Sequence, residues 1–346
     1  MARLGNDSLC LLLGGIGWAF LLRAIRDGDR LRDYAGLGLV LGLGFLTKAF
    51  YVGIAAGASA FVALRLFSAW RAGAPAQQLR RQAVGLAVVT ALPWVIGGTW
   101  YLYQFLDYGA VTGSLEQIMI RQHGGLIAGL ASTFSIPLFL RGIATIFGTF
   151  MWGGSGSLVR FPELFHAPML VLEFLVFGTY LWILLRTRLG NLAWAPLLLA
   201  APVFAGLCYH VLMRIVLSGH GVGTLGTPGW YLHILSVPLA YAAAIALGRL
   251  LGHRAGGPLV LALAAYTFGY LLVATAFQLL FYSGCVFKHP ETKHFAFPDA
   301  PACAGGAGEI FDRLALLGYP GIGLPLLALG FGLGGYGLWR GLKRKP

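Results

Sequence analysis

Charged residues are scarce in this chain. They make up 11% of its 346 residues, whereas hydrophobic residues make up 58%. Soluble domains usually carry about 25% charged residues, so the composition excludes an ordinary soluble protein. The apolar runs are about twenty residues long, the length that spans a bilayer as a helix, and they do not alternate as barrel strands do. We therefore expect an all-α polytopic membrane protein.

Acidic residues are also few. The chain has 12 Asp and Glu against 25 Lys and Arg, for a net charge of +13. The basic residues form short clusters between apolar runs. This distribution sets the orientation of membrane helices and does not indicate nucleic-acid binding. No Walker motif, nucleophile elbow or dinucleotide fingerprint appears in the sequence.

The basic clusters predict a topology when each is placed on the cytoplasmic side of a plasma (inner) membrane. About nine spans result, with the N-terminus outside and the C-terminus cytoplasmic. The predicted spans are Leu9–Leu22, a hairpin over Tyr34–Ser68 with Lys48 at its outer tip, Gln82–Tyr103, Ala167–Leu185, Leu192–Val216, Trp230–Leu247, Pro258–Tyr282 and Tyr319–Leu338. We expect a single membrane domain, with a core over residues 5–250. Residues 251–346 then supply C-terminal helices and an outer loop at 283–316.

The segment 104–166 is predicted to be an outer loop. Arg121, His123 and Arg141 interrupt its apolar character. Its most apolar part, Ser132–Phe150, would spoil the parity of the later loops if it crossed once. We therefore predict an interfacial or re-entrant helix there.

Aromatic residues mark the start of this loop. Trp100, Tyr101 and Tyr108 lie near the end of an apolar run and precede a polar, glycine-containing turn. Amphipathic rings collect where helices leave the hydrocarbon. The stretch is either an ordinary aromatic belt or the mouth of a binding site.

Three ionisable residues fall inside predicted spans at similar depth: Glu173, His210 and Arg214. Ionisable groups in a span cost roughly 3 kcal/mol or more and usually face a partner or a cavity. One interpretation is a structural Glu–His or Glu–Arg pair. The other is an anion site, in which Arg214, Lys48, Arg121 and Arg141 converge on a phosphate.

Cysteines are limited to four. Cys285 and Cys303 share the last predicted outer loop, where a disulfide could form; the alternative is two free thiols. Cys10 and Cys208 fall in spans and are predicted to be packing residues.

Sequence spacing indicates no metal centre. Asp27-Gly28-Asp29 has the D-x-D form, but Asp and Gly are turn formers, so we predict a turn. The histidines of His220–His233 have no outer Cys, His or acid spacing that resembles a zinc site.

Several short motifs, in this order, resemble the GT-C membrane glycosyltransferases, which include the protein mannosyltransferases and the aminoarabinose transferases. The motifs are Asn6-Asp7, Gly36-Leu37-Gly38 through Thr47-Lys48, Gly98-Thr99-Trp100-Tyr101 through Thr112-Gly113, Phe147-Gly148 through Trp152-Gly153, and Gly229-Trp230-Tyr231-Leu232. The resemblance covers most of residues 5–250. It departs from the family at Tyr103-Gln104 and at Trp230, where the relatives often carry basic residues near the donor.

The resemblance implies transfer of a sugar from a polyprenyl-phosphate carrier to an extracytoplasmic acceptor, by an inverting displacement with an outer carboxylate as base. Asp7 lies at the matching position for that base. Lys48 and Arg214 would hold the donor phosphate, and a divalent cation is implied for only some members. The family's first helices and acidic outer loop have no counterpart, so we expect an N-terminally truncated enzyme. The alternatives are a non-catalytic scaffold subunit and a lipid or solute transporter.

Overall fold

The structure, a computed structural model, describes residues 3–150, 163–187, 190–221, 226–227, 229–250, 265–277, 279–280, 283–285, 287–288, 295–296 and 306–315, with isolated positions between 325 and 336. The α-helices are α1 (Arg3–Arg26), α2 (Leu31–Thr47), α3 (Phe50–Arg71), α4 (Ala76–Tyr108), α5 (Leu115–Gln122), α6 (Leu126–Thr133), α7 (Ile136–Phe150), α8 (Glu163–Arg186), α9 (Ala195–Gly219), α10 (Ser236–Leu250), α11 (Ala265–Phe277) and α12 (Gly306–Ala315). Short 3-10 helices cover Asn191–Trp194 and Gly229–Leu235. Two short strands, Phe287–Lys288 and Phe295–Ala296, pair antiparallel.

The helices are long and apolar enough for a multi-pass membrane protein. Within the described residues, six of them could each cross a bilayer, and a seventh crossing is possible if the bent pair α6 and α7 counts as one span. The predicted all-α membrane class is therefore confirmed at this level.

The chain divides into two compact units. Residues 2–150 and 182–242 form the larger unit, and residues 151–181 with 243–346 form the smaller one. In the larger unit α2 packs between α1 and α4, and α3 packs against α4 and α9. Gly38 and Gly42 line the contact with α4, where a Cβ would press on Leu92 and Ile96. Small residues at this spacing let two helices approach closely.

The predicted break at Lys48 is present. Helix α2 ends at Thr47, whose hydroxyl turns back to donate to the Gly44 carbonyl oxygen at 2.7 Å. Lys48 is extended, and α3 begins at Phe50. The Gly44 carbonyl oxygen also accepts from the Lys48 N–H at 2.9 Å, so the last turn of α2 stays bonded, and the extended backbone of Lys48 ends the helix.

The aromatic stretch forms the C-terminal end of a helix. Helix α4 runs through Pro93 to Tyr108, beyond the predicted end at Tyr103. Gly109 then closes the helix in the left-handed conformation, with φ of +63°. Glycine adopts this conformation without a Cβ penalty, and it stops the helix here.

The segment after α4 contains three helices rather than one. α6 and α7 meet at an angle of 111° across a two-residue break. The break falls at Ser135, whose hydroxyl accepts from the Leu138 N–H at 3.4 Å, and Pro137 follows in the first turn of α7. A bend of this size is the geometry of a broken span or a re-entrant loop, and the predicted segment Ser132–Phe150 covers both sides of it.

Side-chain contacts show which loops of the larger unit lie at the same end of its helices. At one end, Asp29 between α1 and α2 contacts Arg65 near the end of α3 and Gln82 near the start of α4. At the other end, the Tyr101 hydroxyl near the end of α4 donates to the Phe45 carbonyl oxygen near the end of α2, at 3.0 Å. The loops α1–α2 and α3–α4 therefore lie at one end, and the Lys48 break lies at the opposite end.

In the smaller unit, α8 packs against α11. Met169 and Tyr270 are buried together, and His166 Nδ1 lies 2.9 Å from the Tyr270 hydroxyl. Most of the predicted last span, Tyr319–Leu338, lies outside the described residues.

Candidate functional site

The ring of Tyr231 is the centre of a polar cluster in the larger unit. The Lys48 amine lies 5.0 Å from its ring centroid, the Phe50 ring packs 4.6 Å from it, and the His210 ring meets it edge-on at 6.5 Å. We call Lys48, Phe50, His210, Thr227 and Tyr231 the Tyr231 cluster. Three elements meet there: the α2–α3 break, α9 and the 3-10 helix Gly229–Leu235.

Lys48 brings a positive charge to this cluster. A cation over an aromatic face is attracted by the negative face of the ring. Burial lowers the pKa of the Lys48 amine to about 8, because a low-dielectric surrounding disfavours the charged form. The amine is therefore still mostly protonated at neutral pH, and a small rise in pH removes its charge.

His210 is oriented by a buried hydroxyl. Its Nδ1 lies 3.1 Å from the Oγ1 of Thr227, and Thr227 is completely buried. The bond fixes the plane of the imidazole and leaves Nε2 as the second polar atom of the ring. His210 belongs to α9, and Thr227 lies just before the 3-10 helix Gly229–Leu235.

Arg214 lies one helical turn beyond His210 on α9, on the same face. Its acidic partner is Glu116 on α5, at 4.0 Å from Arg214 Nη1 to Glu116 Oε1, and both side chains are partly exposed. The Arg214 Nε is buried and has no hydrogen-bond partner among the described residues. A guanidinium has five N–H donors, so donors remain for a further acceptor.

The 3-10 helix that carries Tyr231 is held by the end of α7. The Gly229 N–H donates to Thr149 Oγ1 at 2.6 Å, and His233 Nε2 lies 2.6 Å from the Phe150 carbonyl oxygen. A Cβ on Gly229 would overlap the carbonyl oxygen of Ile146. The glycine is therefore required by close backbone approach, and this explains the Gly229-Trp230-Tyr231 motif in physical terms.

The contacts described for the remaining predicted residues of the larger unit involve other neighbours. Tyr101 is buried and packs against Phe45 and Trp94, while Trp100 and Tyr108 are half exposed. Arg141 is exposed on α7. The guanidinium of Arg121 lies over the backbone of Gly109, in the space that a side chain there would occupy. The convergence of Arg121 and Arg141 with Lys48 stays a prediction.

The remaining predicted residues are Asp7, Glu173 and the four cysteines. The side chain of Asp7 and the whole of Cys303 lie outside the described residues. Cys285 is disulfide-bonded, and Cys10 and Cys208 are free, as predicted for packing residues. Glu173 belongs to the smaller unit, where both of its carboxyl oxygens are buried without a hydrogen-bond partner among the described residues.

A second polar cluster was missed by the sequence analysis. Asp29 is 4% exposed and accepts from the Tyr34 hydroxyl at 2.6 Å, from Arg65 at 2.7 Å and from Gln82 at 2.8 Å. We call these four residues the Asp29 cluster. The D-x-D segment is a turn, as predicted, with φ of +60° at Asp29. Arg65 lies inside an otherwise apolar run and Gln82 stands at the start of the next one, and these two positions could have indicated buried partners.

The chain matches no family model, no curated protein sequence and no solved structure. Its chemistry must therefore be inferred from the two clusters. The Asp29 cluster has donors for both carboxylate oxygens and is a structural link between loops. The Tyr231 cluster combines an amine, an imidazole and an aromatic surface with the nearby Arg214 guanidinium, which is a suitable set for binding an anionic group beside a ring-shaped or apolar one.

Proposed function

We propose that this protein is a glycosyltransferase-like membrane protein that takes a sugar from a polyprenyl-phosphate carrier and transfers it to an extracytoplasmic acceptor. The observation that carries the proposal is the Tyr231 cluster, with Lys48 over the Tyr231 ring and Arg214 one turn from His210. A lipid-linked sugar phosphate offers an anion, a polar ring and an apolar chain, and this part of the protein offers a partner for each of them.

Each residue has a role in the proposed binding. Lys48 and Arg214 hold the phosphate, because charge-assisted hydrogen bonds to phosphate are among the strongest that side chains make. Phe50 and Tyr231 provide an aromatic wall. His210 is positioned to donate or accept at the sugar or phosphate. By the family resemblance, Asp7 supplies the base.

The site fits a particular arrangement in the membrane. We propose nine spans with the N-terminus outside, which adds α2, the α11 region and 319–338 to the six long helices and leaves α6 and α7 re-entrant. Basic residues in the last turns of α1, α3, α8 and α10 support this orientation. The Asp29 cluster then lies on the cytoplasmic side, and Lys48 faces the outer side of a plasma membrane.

Donor binding and turnover test the proposal. Purified protein in lipid nanodiscs is titrated with polyprenyl phosphate and assayed with a set of labelled polyprenyl-phosphate sugars. Lys48→Ala and Arg214→Ala are each expected to weaken polyprenyl-phosphate binding at least tenfold. The matched control is Arg71→Ala, because Arg71 is also a cation over an aromatic ring, 5.8 Å from the Phe67 centroid, but at the other end of α3. Unchanged binding in both test variants would rule out this phosphate site.

Cysteine labelling tests the orientation independently. In a background without native cysteines, Ala72→Cys and Gln122→Cys place single thiols on exposed positions at opposite ends of the larger unit. An impermeant maleimide added to intact cells should label position 122 and should reach position 72 only after permeabilisation. The reverse pattern would invert the proposed topology.

Lipid transport is the second candidate. The 111° bend between α6 and α7 favours it, because broken helices at membrane depth are a feature of transporters. Movement of a fluorescent polyprenyl phosphate between the leaflets of proteoliposomes, without chemical change, would support transport. Appearance of a glycosylated acceptor would support transfer.

A further inference from the structure

Two solvent-exposed histidines of the larger unit lie side by side. The rings of His123 and His220 have their centroids 4.7 Å apart, with an angle of 42° between their planes. Both side chains are exposed to solvent. They are distant in sequence, and only the packing of α5 against α9 brings them together.

Both histidines occupy the same position in their own helices. His123 is the C-cap of α5, and His220 is the C-cap of α9. The C-terminal end of a helix carries a partial negative charge, because its last carbonyl groups point outward without helical partners. Two such ends meet at this pair, so the local backbone field favours a cation.

The tautomer of the His123 ring is fixed by a contact with the backbone. Its Nδ1 lies 2.7 Å from the Met119 carbonyl oxygen, so Nδ1 carries the hydrogen and Nε2 carries the lone pair. Metal-binding histidines usually make this kind of bond to a backbone carbonyl, because it fixes the tautomer and the ring direction.

The separation of the rings agrees with two ligands on one ion. With metal–nitrogen bonds of about 2.0–2.1 Å and a tetrahedral angle, two imidazole centroids lie about 5 Å apart. The observed 4.7 Å is close to this value. Arg121, on the last turn of α5, is the nearest basic residue in sequence, but its guanidinium lies over Gly109.

We propose that His123 and His220 form a two-histidine site for a divalent transition-metal ion such as Zn²⁺ or Ni²⁺, with water at the remaining positions. The ion would fasten the end of α5 to the end of α9. Glu116 and Arg214 lie on these same two helices, so metal binding would also fix the spacing of their ion pair. The proposal does not depend on the transferase function.

Metal binding to the full chain tests the proposal. Purified protein in detergent is stripped with a chelator and titrated with Zn²⁺ and Ni²⁺ against a chromogenic chelator. Wild type should bind one ion with an affinity that falls at least tenfold in His123→Ala and in His220→Ala. Gln122→Ala is the matched control, because it removes an exposed polar side chain beside His123, and it should bind like wild type.

A melting curve for each variant, with and without metal, provides the second measurement. The metal should raise the melting temperature of wild type and of Gln122→Ala but not of either histidine variant. If an alanine variant is unstable without metal, His123→Gln and His220→Gln replace it. Equal metal binding in wild type and both histidine variants would overturn the site. Loss in only one of the two would also overturn it, because the ion would then be held by one histidine with other ligands.

Discussion

The Asp29 cluster should be a main source of stability in the larger unit, and Asp29→Gly tests this. The substitution removes the carboxylate while leaving the backbone free to keep φ at +60°, which glycine adopts without strain. The Arg65 side chain, only 12% exposed, then loses its carboxylate, and the buried Tyr34 hydroxyl and Gln82 amide lose their acceptor.

The expected magnitude follows from burial. Removing one partner of a buried ion pair costs about 3–5 kcal/mol, because the other charge stays buried without compensation. For domains of about 150–250 residues, 1 kcal/mol corresponds to about 2–4 °C in melting temperature. We therefore expect the melting temperature of Asp29→Gly to fall by roughly 6–20 °C, measured by loss of the monodisperse peak after heating in detergent.

Asp27→Gly is the matched control for this measurement. Asp27 lies in the same turn and pairs with Arg30 at 3.8 Å, but both side chains are well exposed. Exposed pairs contribute about 0–1 kcal/mol, so this variant should melt close to wild type. The double variant Asp29→Gly/Arg65→Met should recover part of the loss, because it removes the unpaired charge. Equal melting of Asp29→Gly and Asp27→Gly would refute the reasoning.

Three further predictions concern other parts of the chain. Burial lowers the pKa of the Lys48 amine to about 8, so polyprenyl-phosphate affinity should fall as pH rises through 8. Ligand-free stability should rise over the same range, since the unfolded chain then binds more protons than the folded one. A polyprenyl-phosphate affinity that is unchanged between pH 7 and 9 would contradict the expected role of the Lys48 charge. Gly229→Ala should lose about 1–3 kcal/mol by collision with the Ile146 carbonyl. Gly226→Ala, where a Cβ has room, should be neutral in the same melting assay. Glu173→Met should gain about 1–3 kcal/mol by removing a buried carboxyl without a hydrogen-bond partner among the described residues, and a lower melting temperature would show that this carboxyl has a stabilising partner.

Helix positions were largely predictable, because they depend on local properties of the sequence. Apolar run length indicated the long helices, and Lys48 marked the break between α2 and α3, whereas α4 continues to Tyr108, past its predicted end at Tyr103. The bend at Ser135 was only partly predictable, since it depends on how the α6–α7 segment packs. The predicted nine crossings and their orientation stay predictions.

The composition of the clusters was harder to predict than the helices. His210 and Arg214 share a face of α9 by their i, i+4 spacing, and this could be read from the sequence. Their partners could not, because Glu116, Thr227 and Tyr231 come from segments joined only by tertiary packing. A buried polar group in sequence indicates that a partner exists but not which one it is.

The two polar clusters of the larger unit differ in their balance of basic and acidic groups. In the Asp29 cluster, three donors from α2, α3 and α4 occupy both oxygens of one carboxylate, and the buried Gln82 Oε1 has no hydrogen-bond partner among the described residues. Around the Tyr231 cluster the basic groups exceed the acidic ones. Arg214 has only a 4.0 Å contact to Glu116, and its buried Nε lacks an acceptor among the described residues. Because a buried donor without an acceptor costs about 1–3 kcal/mol, an anion that supplies the acceptor would recover that free energy on binding. The Tyr231 cluster, with Arg214 beside it, is therefore the better candidate for binding an anion, whereas the basic side chain of the Asp29 cluster already has its own carboxylate.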